Sequence, residues 1–142
     1  MRTVASTLEG FAGETTVILT TFRRDGTPVD TPVHIAVDGD RAFIRTYEKA
    51  HKTRRLRRRP EAELRLATNG RAPAILALLR PAAVRRAGAP VHVRATELSG
   101  EESQRAAAAL ARRYPLLHGV LIPRAHRLQG TRTVNLELTA VD

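Results

Sequence analysis

"TTFRRDGTPVDTPVHIAVDGDRAFIRT", residues 20–46, holds two hairpin turns between three apolar, β-branched runs. Asp25-Gly26 supplies the left-handed conformations that a tight turn requires, and Asp38-Gly39-Asp40 repeats the device. Each connection is too short for a helical crossover, so the three strands form an antiparallel meander. The middle strand reads from Pro28 to Val37, with Val29, Thr31, Val33, Ile35 and Val37 on one face. Within it stand Pro28 and Pro32, neither of which can donate to a ladder. Two readings follow. The backbone is opened here to face a ligand, or the prolines protect an edge strand from further pairing.

The flanking sequence extends the meander. "TTVILTTF" (15–22) has the composition of a buried strand, and "RAFIRT" (41–46) is the third strand of the set. The period then changes to that of a helix from about Ala50 to Arg59, stopped by Pro60. "AELRLAT" (62–68) alternates as a strand, with Leu64 and Leu66 against Glu63 and Arg65. "AILALL" (74–79) fits a strand or a short helix, and "RPAAVRRAGAP" a loop. "VHVRATEL" (91–98) is a strand. A helix follows with Ser99 as its N-cap, acids in its first turn and arginines in its last. "LLHGVLIPRAHRLQ" reads as a less regular helix. "RTVNLELTAV" closes the chain, with Val134, Leu136 and Leu138 facing in and Asn135, Glu137 and Thr139 facing out.

Five or six antiparallel strands, one short helix and two later helices define a mainly β chain, a small barrel with helical additions. There is too much strand for a bundle and no βαβ rhythm. With 142 residues, 42% of them hydrophobic, the chain is expected to be one globular domain, residues 1–142. Aromatic residues are scarce, so the core falls to Val, Ile, Leu and Ala. Without cysteine, disulfides and thiolate metal sites are excluded. No signal pattern or membrane-spanning run is seen, so a cytoplasmic location is expected.

The net charge is +10, concentrated in residues 45–65, "RTYEKAHKTRRLRRRPEAELR", with nine basic and three acidic side chains. Such a cluster suits phosphates, carboxylates or nucleic acid, or is a solvated helix face. Arg45-Thr46 ends a strand, and His51-Lys52 opens the basic helix shortly after. There the unpaired amides, the helix dipole, the Lys52 charge and the Thr46 hydroxyl would all favour an anion. On a helical wheel Lys52, Arg55, Leu56 and Arg59 share one side, while His51, Arg54, Arg57 and Arg58 lie elsewhere.

Residues 20–46 followed by "KTRRLRRRPEAELRLA" resemble the small flavin and deazaflavin oxidoreductases of the split β-barrel fold. These are the pyridoxamine-5'-phosphate-oxidase-like proteins and, among them, the F420-dependent "PPOX class" proteins. The resemblance rests on the three hairpin strands and on the spacing of Thr46, Lys52 and Pro60. It implies a homodimer binding F420, or alternatively FMN. Thr31, Pro32 and Val33 would line the tricyclic ring, Arg45 and Thr46 the linker, and His51 and Lys52 the phosphate. Arg55 would meet the phosphate or the acidic tail of the deazaflavin. Two departures stand out. His34 replaces the usual bulky aromatic and either alters the substrate side or points to solvent. "PAILALLRPAAVRRA" (73–87) is inserted before the next strand.

Other candidates are bland. His92, His118 and His126 are too scattered for a metal site, Glu101 and Glu102 suit a helix dipole, and Ser99 and Ser103 lack a nucleophile's setting. The expected function is hydride transfer between F420 and a small organic substrate, with no side chain assigned as catalytic. The alternatives are an FMN-binding relative, a non-catalytic cofactor-binding protein and, more remotely, a basic nucleic-acid binder. The recognition-helix, zinc and RNP patterns of nucleic-acid binders are absent.

Overall fold

The computed structural model describes residues 8–68, 70–72, 85–115, 118, 122–128 and 130–141. Seven strands form one antiparallel sheet: β1 (Thr16–Phe22), β2 (Pro28–His34), β3 (Ala36–Asp38), β4 (Arg41–Tyr47), β5 (Glu61–Leu66), β6 (Val91–Glu97) and β7 (Thr133–Ala140). Among the described residues, three helices accompany them: α1 (His51–Arg58), α2 (Gly100–Arg113) and α3 (Ile122–Leu128). The segment expected at 74–79 lies outside the described residues, and the helix expected over 116–129 is described at 118 and as α3.

The sheet order is β2-β1-β5-β6-β7-β4-β3, so the first and last strands of the order are neighbours in the chain. The strand expected over 28–37 is therefore two strands. It pairs with β1 as far as His34, then switches at Ile35 and pairs with β4. The switch joins the two edges of a curled sheet, which is the split barrel. The hairpins are as expected, with Gly26 and Gly39 at positive φ in their turns.

The prolines belong to the edge. Arg23 donates its backbone N–H to Thr27, so Thr21–Val29, Leu19–Thr31 and Val17–Val33 are the pairs that exchange hydrogen bonds. Pro28 and Pro32 fall between them, opposite Phe22 and Ile18, where a strand's N–H points away from its partner. The ladder with β1 thus runs unbroken past Pro32 to Thr16–His34. Pro32 does not open it, and the two prolines remove two of the donors that would otherwise point out from this edge.

One core fills the barrel. Val17, Leu19, Val33, Ile35, Ala42, Ile44, Leu64, Val93, Leu136 and Leu138 meet there, joined by Leu56 of α1. The alternation expected for β7 holds for Val134, Leu136 and Leu138. Asn135, however, is buried on the outer face, because α2 covers it. Its amide donates to the Ser103 carbonyl and hydroxyl (3.2 and 2.8 Å). That second layer packs Ala106, Leu110 and Tyr114 on Ala36 and Phe43. Ser99 holds the N-cap position of α2 but makes no side-chain capping bond. In β5, Leu64 is fully buried while Leu66 is partly exposed at the strand's end.

Candidate functional site

Helix α1 lies over one end of the barrel and separates two surfaces of different chemistry. Thr53 and Leu56 are buried and fix its rotation. Its start is bare: Ala50 occupies the N-cap position without a side-chain bond, and no acid stands in the first turn. Its amides there are left for a ligand or solvent.

On one flank of α1 lies a hollow of about 520 Å³, lined by Arg23, Val29, Thr31, Tyr47, Ala50, His51, Lys52 and Arg55. This size falls in the roughly 300–1,000 Å³ range of small-ligand sites. Arg23 comes from the β1–β2 turn, Val29 and Thr31 from β2, Tyr47 from the end of β4, and the rest from α1 and its cap. No carboxylate is among these lining residues. Among the described residues, Arg23, Lys52 and Arg55 enter no salt bridge. Burial, with the neighbouring Arg55, lowers the Lys52 pKa below its usual value. Arg55 is likewise pushed down by burial and by the charges of Arg23 and Arg58. Its Nε donates to Thr21 Oγ1 at 2.6 Å. Clustered cations without a counter-ion repel one another, and an anion bound among them relieves that repulsion.

The other flank is neutralised. Arg57 forms a two-bond pair with Glu97 (2.8 and 3.0 Å) and approaches Glu48, which also holds Arg132 at 2.9 Å. Hydrogen bonding to Glu97 raises the Arg57 pKa, and bonding to Arg132 lowers that of Glu48. The large charge run is therefore two things. Its Arg57 side is internal pairing, and its Lys52 side is an open cationic wall.

Of the residues expected at the site, Thr31, His51, Lys52 and Arg55 converge on the hollow. His51 joins them although the wheel sets it apart, because a helix's first turn faces its open end. Pro32, Val33, Arg45 and Thr46 do not line it. Val33 is in the barrel core. Thr46 is buried with its hydroxyl 3.1 Å from that of Thr53, which donates to the Tyr47 carbonyl. Arg45 points to the opposite face of β4, where it donates to Asn135 Oδ1 and to the His118 carbonyl. Burial lowers its pKa. The resemblance did not mark Arg23, Val29, Tyr47 or Ala50, and Thr21 was hidden in a β-branched run.

His34 faces neither the hollow nor solvent. It is buried on the outer side of β2, its Nδ1 3.0 Å from His118 Nε2, and both rings stack near Tyr114. The inserted segment is described only from Arg85 onward. There Arg86 bridges to Ala67 and clasps Asp30 with two bonds of 2.7 Å.

The seven-stranded sheet thus curls into a split barrel with a cationic hollow beside its short helix. The family model for pyridoxamine 5'-phosphate oxidase matches residues 5–142, and the chain belongs to that family. Several solved structures share its fold. The heme storage protein HutZ from Vibrio cholerae is 15% identical, covers 100% of this chain and 92% of its own, and superposes with a TM-score of 0.68. A conserved hypothetical protein from Mycobacterium tuberculosis is 18% identical over 100% of this chain and 82% of its own, with a TM-score of 0.62. A heme binding protein from Mycobacterium smegmatis is 17% identical over 98% of this chain, which spans 51% of that protein (TM-score 0.58). At these identities the likeness is one of fold. No curated protein matches the sequence. Among the described residues, no helix is long and apolar enough to cross a membrane.

Proposed function

We propose that the chain binds coenzyme F420 in the hollow beside α1 and serves as an oxidoreductase for a small organic substrate. The observation that carries this reading is the wall of Arg23, Lys52 and Arg55, which lines the hollow with no carboxylate among its described lining residues. The residues fit such a ligand. Lys52 and His51, with the open amides of α1, would hold the phosphate. Val29, Thr31 and Tyr47 would flank the ring. Three full cations exceed what one phosphate requires, and the carboxylate-bearing tail of the deazaflavin uses the surplus, which favours F420 over FMN. When bound, the cofactor supplies the hydride chemistry, and the protein supplies orientation and a wall that excludes water.

The test is a titration of the purified protein with F420, FMN and heme in parallel, followed by fluorescence quenching, absorbance or calorimetry. Micromolar or tighter binding of F420, weakened by Lys52→Ala, supports the reading. Tight FMN binding alone moves the function to a flavin. Heme bound with neither flavin nor deazaflavin overturns the reading in favour of the activity named for two of the fold relatives.

A further inference from the structure

Arg55 sits in an unfavourable place for a guanidinium. It is partly desolvated, it faces Arg23 and Arg58, and no carboxylate pairs with it among the described residues. An arginine on a helix surface relieves such repulsion by swinging its long side chain into water. Here it stays against the hollow. The contact that holds it is the 2.6 Å bond from Nε to Thr21 Oγ1. Thr21 is 0% exposed, and its β-strand backbone pairs with Val29, itself a wall of the hollow.

From this arrangement we infer that Thr21 is the positioning residue of the anion site, fixing the Arg55 guanidinium so that its two terminal nitrogens are presented to the ligand. The Nε bond uses one edge of the guanidinium plane. The NH1 and NH2 donors are left for a phosphate or carboxylate, with their plane already set. Presetting the fork lowers the conformational cost of binding. Thr21 touches no ligand and acts only through Arg55. The buried hydroxyl is also suited to the task because its rotamer is restricted by β-branching and by the strand.

This inference rests on the cofactor reading, and the experiment separates the two. Kd is measured for F420 and for FMN with wild type, Thr21→Val, Thr21→Ser, Arg55→Ala, the Thr21→Val/Arg55→Ala double variant and Lys52→Ala. Val keeps the shape and favours a strand, so folding is retained, which a thermal melt checks. The expected result is affinity about tenfold weaker in Thr21→Val, restored in Thr21→Ser. In the double variant, Thr21→Val should add nothing to the loss already caused by Arg55→Ala. Binding by wild type with Thr21→Val equal to it, or with additive losses in the double variant, overturns the positioning role and leaves the cofactor reading standing. No binding of either probe by wild type overturns the cofactor reading and this inference with it.

Discussion

Tyr114 Oη lies 2.7 Å from the carbonyl oxygen of Ile35, the residue at which the barrel strand changes partners. The same hydroxyl is 3.0 Å from the carbonyl of Thr15, just before β1, so its proton is shared between two acceptors, and Arg113 Nε donates to it in turn. A strand that switches neighbours leaves a carbonyl without a ladder partner, and a buried carbonyl must be satisfied. The end of α2 does this at the seam. Tyr114→Phe keeps the ring and removes the bond, and it should cost about 1–2 kcal/mol. Chemical denaturation measures it; a midpoint equal to that of wild type would mean that the seam does not depend on this hydroxyl.

The seam also shows where the sequence stopped being legible. The Asp-Gly turns and the alternation of Val33, Ile35 and Val37 are local signals, and they placed the hairpins correctly. The alternation continues straight through Ile35, however, so nothing local reveals that one half of the strand pairs with β1 and the other with β4. Asn135 was rightly placed on the outer face, but facing outward is not the same as facing water once α2 covers the sheet. The contact between His34 and His118 joins residues far apart in the chain, and the two could only be found together in three dimensions. At the site, helix start signals and the family spacing picked out His51 and Lys52. Arg23 could not be tied to them, because its approach depends on how the β1–β2 turn meets α1.

The two flanks of α1 make a contrast that a pair of variants can read. Lys52→Ala removes a cation from the hollow and should weaken F420 binding by about 1.5–3 kcal/mol, the range for hydrogen bonds to charged groups. Arg57→Ala removes a partner of Glu97 and Glu48 on the far side. It should leave Kd within experimental error. Calorimetry on both variants is the check, and a larger loss from Arg57 than from Lys52 would move the binding surface to the other flank.

Asp30 provides an acid-sensitive clasp for the end of the inserted segment. Partial burial raises its pKa, but bonds from Arg86 and Thr20 outweigh this, and the net result lies below the ordinary aspartate value of 3.8. A carboxylate with a depressed pKa stabilises the fold above its unfolded-state pKa, and that stability is lost as pH falls through the folded value. The clasp should therefore be intact at neutral pH and open only below about pH 4. In Asp30→Asn, the stability difference from wild type should shrink as pH falls through this window. A difference that stays constant from neutral pH to pH 3 would mean that the charge of Asp30 contributes nothing.

Lys52 should behave in the opposite sense at alkaline pH. Burial and the Arg55 charge depress its pKa below 10.5, so between the folded value and 10.5 the unfolded chain holds the extra proton. Stability then rises with pH in that window, because the folded state is relieved of a desolvated charge. Anion affinity runs the other way, since the neutral amine no longer attracts phosphate. Binding of FMN or F420 should thus begin to fall below pH 10.5, while the free protein's thermal midpoint gains from this group over the same interval. Lys52→Gln should flatten both curves there. Affinity that declines identically in wild type and Lys52→Gln would assign the alkaline loss to another group and remove Lys52 from the phosphate site.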